Sequence, residues 1–179
     1  MTEIVKAPNN VLSQKAKPVK KVDGQILKII GQMKKALLAA KDPVGVGLAA
    51  PQIGKLLQIF LAKPNANSKI HVFINPKVEL LGKPVSKKKG KEIKLEGCLS
   101  LPNIWGELKR PSSLSITYLD EKRIKNTKKV SGFLATIILH EMDHLSGILF
   151  PKRVLEQKGT LYRSEKDEKG EDVFEEIKI

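Results

Sequence analysis

The chain is poor in cysteine, in aromatic residues and in long apolar runs. Its single cysteine, Cys98, excludes an intramolecular disulfide. The longest largely apolar run, residues 132–139, is far too short to span a bilayer, and the first residues lack the apolar core of a signal peptide. We therefore expect a cytoplasmic protein without a membrane partner, folded as a single domain over residues 1–179.

Arginine is scarce although the chain is strongly basic. The formal net charge is +14, but only four of the 33 basic residues are arginine, and aromatic residues make up 4% of the chain. Specific phosphate recognition relies on the arginine fork, and binding of single strands relies on aromatic stacking. We therefore expect no specific nucleic-acid recognition, and interpret the lysines as a charged surface that would still favour proximity to the ribosome.

Two segments have the apolar spacing of helices. The first is expected from about Asp23, a good N-cap, to Ala40. The second is expected from Ser131 to about Leu145, and it is apolar nearly all round before residue 140. A helix of that kind is typically buried. The second helix should therefore lie at the centre of the fold.

The remaining pattern indicates short strands. They are predicted over residues 56–62, 71–80, 113–120 and 128–130. The tail, residues 156–179, has β-like flanks around Lys169-Gly170 and is interpreted as a surface hairpin, and the lysine-rich segment 86–94 as an exposed loop. Together the elements predict an α+β fold, with short antiparallel strands packed around one central helix.

Residues 140–144, HEMDH, form the pattern H-E-x-x-H on that helix. His140 and His144 lie on one helical face, where both imidazoles can bind one metal ion, and Glu141 can act as a general base. A hydrolytic site usually takes three protein ligands and leaves one position for water. Asp143 would either orient a ligand histidine or form a structural ion pair.

The third ligand has two kinds of candidate. Cys98, in the segment EGCLS, offers a thiolate that suits Zn²⁺ or Fe²⁺. Downstream carboxylates such as Glu156 and Glu165 would instead give a metallopeptidase. A further alternative is a basic RNA- or ribosome-binding protein in which the motif is inert.

Residues 45–52, GVGLAAPQ, contain G-x-G-x-x-A but do not fit a dinucleotide-binding loop. They follow the end of a predicted helix and Asp42-Pro43 rather than a strand, and no acidic residue lies near position 70. We interpret them as an exposed backbone segment that ends in a functional amide, Gln52.

Three segments, in this order, resemble the motifs of the peptide deformylase family: GVGLAAPQ, EGCLS and HEMDH. The opening APNNVLSQKAKPV, FINP at 73–76 and LSGILF at 145–150 are similar as well, so the resemblance extends to about Arg153. It implies a hydrolase that removes the N-formyl group from the initiator methionine of newly synthesised polypeptides and releases formate. Its partners would be N-formylmethionyl nascent peptides, and we expect a monomer.

The resemblance also implies roles for individual residues. One divalent metal ion, Fe²⁺ in the cell and Zn²⁺, Ni²⁺ or Co²⁺ in some purified proteins, would be bound by Cys98, His140 and His144. Glu141 would accept a proton from the attacking water and later donate one to the leaving amine. The side chain of Gln52 and the backbone N–H of Leu99 would stabilise the charge that builds on the formyl oxygen.

Substrate binding is implied in part by the family and in part by helix geometry. Family members bind the peptide as an added strand, and Gly47 and Gly97 match the positions that pair with it. An apolar slot for the methionine could be lined by Val46, Phe133, Thr136 and Ile137. Each of these could equally be a core residue.

Two further residues are interpreted as neighbours of the site. Trp105 could form part of the rim of the slot, at a position where many relatives have Arg or Tyr. Arg110 could pair with Glu96 and so hold the loop that carries Cys98.

Overall fold

The computed structural model describes residues 2–81 and 95–178, which form two antiparallel β-sheets and three α-helices. The helices are α1 (Gly24–Ala39), α2 (Gly132–Leu145) and α3 (Phe150–Glu156). The strands are β1 (Gly47–Ala49), β2 (Ile59–Ala62), β3 (His71–Leu80), β4 (Leu95–Cys98), β5 (Leu101–Glu107), β6 (Ser113–Leu119), β7 (Lys125–Ser131), β8 (Leu161–Lys166) and β9 (Asp172–Glu176). The predicted α+β class is confirmed. The segment 86–94, expected as a loop, lies outside the described residues.

The first sheet has the strand order β1-β2-β3-β6-β7. Every residue of β2 is buried, and the Phe60 ring stacks on Phe73 with a centroid distance of 4.6 Å. Tyr118 also packs against Phe73, with a centroid distance of 4.5 Å. Aromatic pairs at these distances add to the free energy of burial and fix the relative position of three neighbouring strands.

Two strand boundaries differ from the prediction. Strand β2 begins at Ile59 rather than at residue 56, because Leu57 forms an isolated bridge with Lys17 of the N-terminal segment instead. Strand β7 is longer than residues 128–130 and pairs with the whole of β6. Its sequence gave a weak signal because β7 is an edge strand with exposed lysines, a composition that protects sheet edges but lowers β propensity.

The two long helices follow the prediction closely. The Asp23 carboxylate caps α1 by accepting hydrogen bonds from the N–H groups of Gln25 and Ile26. Ser131 occupies the N-cap position of α2, although its side chain makes no capping bond. Helix α2 ends at Leu145 and packs against β1 and β2, with its last two turns almost entirely buried. It is therefore the central helix of the fold.

The predicted tail hairpin is confirmed as β8–β9, whereas helix α3, strands β4 and β5 and the sheet they form with the hairpin were not predicted. Helix α3 has only seven residues, too few for a clear apolar period, although Pro151 in its first turn is favourable there. The second sheet has the order β4-β5-β8-β9, so the tail hairpin pairs with β5 and joins the sheet that carries Cys98. This association depends on contacts between distant segments.

None of the helices in the described residues is by itself long and apolar enough to cross a membrane. Helices α2 and α3 together reach that length and composition, but they are bent by 104° relative to each other.

Asn75 produces a bulge in β3 at the Asn-Pro step where the sequence indicated a bend. Its φ is 50°, and the β3–β6 register shifts between Ile74 and Lys77. The Asn75 side chain accepts a hydrogen bond from the N–H of Val19 and donates one to its carbonyl, each at 2.8 Å. The bulge thus ties the N-terminal segment to the first sheet.

We expect Asn75→Ala to lower the free energy of unfolding by about 2–4 kcal/mol. It removes both bonds to Val19 and places alanine, which tolerates the left-handed region less well than asparagine, at a positive φ. Asn103→Ala is the control, since Asn103 also has a positive φ (62°) but is exposed, and should cost about 1 kcal/mol. Urea unfolding measures both, and equal losses would contradict the role of the Val19 bonds.

Candidate metal centre

Three buried side chains converge where the end of β4 meets α2. The ligand atoms of Cys98, His140 and His144 all lie within 4.8 Å of one another. The Cys98 Sγ atom is 3.2 Å from Nε2 of His144. Ligands around a tetrahedral Zn²⁺ or Fe²⁺ are separated by roughly 3.5 Å, given metal–ligand bonds of about 2.0–2.3 Å. The donor set and its spacing therefore fit one divalent metal ion.

His140 is oriented through its second ring nitrogen. Its Nδ1 lies 2.6 Å from Oε1 of Glu96, which leaves Nε2 to face Cys98 and His144. A carboxylate behind a ligand histidine fixes the tautomer and the ring orientation. Nδ1 of His144 is buried and has no partner among the described residues. The two histidines are thus held differently, one by a carboxylate and one by packing.

Arg110 holds the Glu96 carboxylate, as predicted. Its Nε and Nη2 donate to the two oxygens of Glu96 at 2.7 Å each, and its Nη1 donates to Asp143 at 3.0 Å. Asp143 also accepts two hydrogen bonds from Arg153 at 3.0 and 3.1 Å. Of its two possible roles, the ion-pair role is therefore the one observed. Arg153 of α3 was not recognised from the sequence, because only the fold brings α3 to this cluster.

Burial and pairing set the charges of this cluster. Burial raises the pKa of Glu96, but hydrogen bonds from Arg110 and His140 outweigh it and bring the pKa to about 2. Burial lowers the pKa of His140, but its interactions with Cys98 and Glu96 raise the pKa well above the ordinary value. Burial and the charge of His140 hold the pKa of His144 well below that value. Metal binding would displace the proton of His140.

Glu141 is buried beside the ligands. Burial is the main cause that raises its pKa to about 7, and its Oε2 has no hydrogen-bond partner among the described residues. Its Oε1 lies so close to β1 that a β-carbon at Gly47 would clash with the carboxylate. Glycine at this position therefore allows the backbone of β1 to approach the carboxylate. A carboxyl group with a pKa near neutrality is suited to proton transfer.

Gln52 lies in the 3-10 turn Ala50–Ile53 after β1. Its Oε1 accepts from the N–H of Ala49 at 2.8 Å, which fixes the amide with its nitrogen towards the ligands. Nε2 donates to Ser100 Oγ at 3.1 Å and lies 3.6 Å from the Cys98 sulfur. Ser100 was not recognised from the sequence, although it ends the EGCLS segment.

The N-terminal segment supports the same loops and was also not recognised. The Lys6 ammonium donates to the carbonyl of Leu99 at 2.5 Å. The N–H of Val5 donates to the Gln52 carbonyl at 2.8 Å, and the N–H of Ala7 to that of Ser100 at 2.9 Å. The two backbone bonds carry no residue-specific signal, and a lysine such as Lys6 is too common in this chain for its contact to be read from the sequence.

A cleft of about 1310 Å³ opens onto Cys98, His140 and Glu141. It is lined by every residue predicted to bind substrate, namely Val46, Gly47, Gly97, Trp105, Phe133, Thr136 and Ile137. Ile137 is 3% exposed and lies deep in the cleft, whereas Phe133 is 52% exposed and lies at its mouth. Gln52 and Leu99 line it as well. Substrate contact by these residues stays a prediction.

The sequence model of the polypeptide deformylase family matches residues 1–159 of the chain. The chain belongs to the peptide deformylase family.

Several deformylases show the extent of the similarity. The peptide deformylase of Chlorobium phaeovibrioides is 38% identical over 146 residues, 82% of this chain and 74% of that protein. Peptide deformylase 2 of Clostridium acetobutylicum is 36% identical over 156 residues, 87% of this chain and 97% of that protein. The match confirms the predicted family and makes the chain an enzyme of the deformylase class.

Solved deformylase structures share the fold. A Synechococcus elongatus peptide deformylase in complex with actinonin has a TM-score of 0.74 and 35% identity, over 84% of this chain and 77% of that one. The Thermotoga maritima deformylase has a TM-score of 0.72 and 30% identity, over 86% and 97%. The family match ends before β8 and does not extend to the tail hairpin.

The charge of Glu96 predicts how the stability of this deformylase depends on pH. Its pKa, about 2 in the folded protein, lies below the ordinary 4.5. The stabilisation from its charge is therefore complete above pH 4.5 and is lost as the pH falls through 2. In the metal-free protein, the free energy of unfolding of wild type should exceed that of Glu96→Gln by about 3 kcal/mol near neutral pH. This difference should shrink between pH 4.5 and 2.

Denaturant unfolding in the presence of a chelator, repeated across this range, measures the difference. Glu121→Gln is the control. Glu121 forms a solvent-exposed ion pair with Lys34, so its charge should contribute little to the free energy of unfolding. A wild-type advantage over Glu96→Gln that does not change with pH would contradict the assignment.

Proposed function

We propose that this chain hydrolyses the formyl group of N-formylmethionyl peptides, giving formate and a free N-terminal amine. One observation carries the proposal: the unpartnered carboxylate oxygen of Glu141 lies beside a buried Cys98, His140 and His144 cluster, in a cleft formed by all three family motifs. This combination suits attack by water on a small carbonyl group.

We propose that Cys98, His140 and His144 hold one divalent ion, Fe²⁺ in the cell and Zn²⁺, Ni²⁺ or Co²⁺ in some preparations. When bound, the ion would act as a Lewis acid that lowers the pKa of a water molecule and polarises the formyl carbonyl. The protein's own contribution is to exclude bulk water and to orient the ligands, as the burial of all three indicates.

Glu141 would move the proton. Its carboxylate accepts a proton from the attacking water as the new C–O bond forms at the formyl carbon. It then donates that proton to the amine nitrogen as the C–N bond breaks, which returns Glu141 to its charged form and frees the amine and formate. A pKa of about 7 allows both steps at neutral pH.

Gln52 and Leu99 would stabilise the negative charge on the formyl oxygen. One N–H of the Gln52 amide is used by Ser100, and the other is directed to the side of the cleft that holds the Cys98 sulfur, 3.6 Å away. The backbone N–H of Leu99 follows Cys98 directly and belongs to a loop held by Lys6. Donors fixed in advance stabilise a developing oxyanion without reorganisation.

The peptide itself would bind between two sheet edges. Gly47 belongs to β1, an edge strand of the first sheet, and Gly97 to β4, an edge strand of the second. Both strands line the cleft and leave backbone groups that a substrate strand can pair with. The methionine side chain would occupy the slot beside Val46, Thr136 and Ile137. We further propose that the enzyme acts as a cytoplasmic monomer near the ribosome.

Formate release from formyl-Met-Ala-Ser tests the reaction directly. Glu141→Gln should lower kcat about 10²–10⁴-fold, because it removes the group that transfers the proton, while the metal content stays unchanged. Glu156→Gln, which alters an exposed glutamate paired with Arg153, is the matched control and should retain full activity. Wild-type protein that carries metal but releases no formate would overturn the proposal.

Metal analysis of anaerobically prepared protein tests the ligand set. Cys98→Ser should lose most of the metal, because serine is a poor ligand for soft divalent ions, and activity should fall with it. The control His71→Asn alters a histidine on β3, outside the metal cluster, and should keep its metal. Full metal retention in Cys98→Ser would favour a metallopeptidase with a carboxylate ligand.

A further inference from the structure

The tail hairpin β8–β9 belongs to the sheet that carries Cys98, although it lies beyond the residues matched by the family. Strand β5 joins the two parts of this sheet. Trp105 on β5 pairs with Gly97 of β4 on one side and with Tyr162 of β8 on the other. Trp105, like its neighbour Gly106, therefore connects the hairpin to the strand edge that lines the cleft.

The Trp105 indole is fixed from both sides. Its Nε1 donates to Oγ of the buried Ser164 at 3.0 Å, and its ring packs edge-on against Phe174 with a centroid distance of 5.9 Å and an interplanar angle of 88°. On the other side the ring covers Gly97 so closely that a β-carbon there would lie 2.8 Å from it. Both contacts from the tail come from the hairpin strands.

The cleft continues past this indole. A second hollow of about 320 Å³ shares Trp105 and Pro43 with the main cleft. Lys166 pairs there with Asp172 at 2.9 Å and with Asp42 at 3.8 Å. Because these carboxylates already have a cation, Trp105 and Pro43 offer the apolar contact surface at this junction.

The direction of the substrate follows from its chemistry. In a formylated peptide no residue precedes the formyl group. A groove that leads away from the metal ligands and past the methionine slot can therefore hold only the residues that follow methionine. An extended chain advances about 3.3 Å per residue, so the first few of these residues reach the junction.

We propose that the β8–β9 hairpin is a specificity element, which holds the Trp105 indole as a contact surface for an apolar side chain in the first three residues after formylmethionine. This inference rests on the proposed function. Ser164 and Phe174 act through Trp105 and are positioning residues. Loosening the indole should weaken binding of the peptide rather than the chemical step, because neither residue lines the cleft that opens onto Cys98, His140 and Glu141.

Steady-state kinetics with formyl-Met-Ala-Leu and formyl-Met-Ala-Gly tests the proposal. Wild type should favour the leucine peptide by about 3–10-fold in kcat/KM, less than the roughly 10–200-fold that one methylene is worth in an enclosed pocket, because this contact surface is open to solvent. Phe174→Ala and Ser164→Ala should each bring this ratio close to one. The change should come from a higher KM for the leucine peptide, with kcat unchanged. The control Val173→Ala alters the neighbouring, half-exposed residue of β9 and should keep the wild-type ratio.

Trp105 is the only tryptophan of the chain and reports the contact without catalysis. Adding the product peptide Met-Ala-Leu should change its fluorescence with a lower Kd than Met-Ala-Gly, and Phe174→Ala should remove this difference. Formate release without a leucine preference, or a preference equal in Phe174→Ala and Val173→Ala, would overturn the role of the hairpin. Absence of formate release from every peptide would instead overturn the proposed function, and the fluorescence titration tells the two failures apart.

Discussion

The site depends on the buried carboxylate of Glu96. It accepts two hydrogen bonds from Arg110 and contacts Nδ1 of His140, and Arg110 also reaches Asp143. These bonds join β4, which carries Cys98, to α2, which carries both histidines. A buried charge is costly unless it is fully paired, so the cluster is stable only in the one arrangement that satisfies every member. That arrangement also brings the three ligand atoms together.

The same burial prepares the proton-transfer group. Glu141 is one residue from His140 but its carboxylate points to β1, and burial raises its pKa to about 7 although the nearby charges of His140 and Arg110 act to lower it. Glu96 is buried as well, yet Arg110 and His140 bring its pKa to about 2. Two glutamates with similar burial therefore differ in charge because of their partners alone. One keeps a histidine in place, and the other is left free to exchange a proton.

The cleft results from two sheets that leave an edge strand each beside α2. Strands β1 and β4 are both outermost in their sheets, and glycines at Gly47 and Gly97 permit the close approaches to Glu141 and Trp105. The family-specific part of the chain supplies this arrangement up to residue 159. Beyond that range the tail adds a hairpin to the second sheet and contacts the Trp105 indole at one end of the cleft.

The local sequence determined much of this protein. The helical period and Asp23 located α1 and α2, the Asn75-Pro76 step located the bulge, and the three motifs indicated the family and the Cys98, His140 and His144 cluster. These features depend on neighbours within a few residues, and for the ligands on residue types that one chemistry requires. Only the tertiary structure decided that Asp143 pairs with Arg110 and Arg153, that Lys6 reaches Leu99, and that the hairpin packs on Trp105. Such contacts join segments far apart in the chain, and their residue types are common on any charged surface, so the packing of the sheets alone selects them.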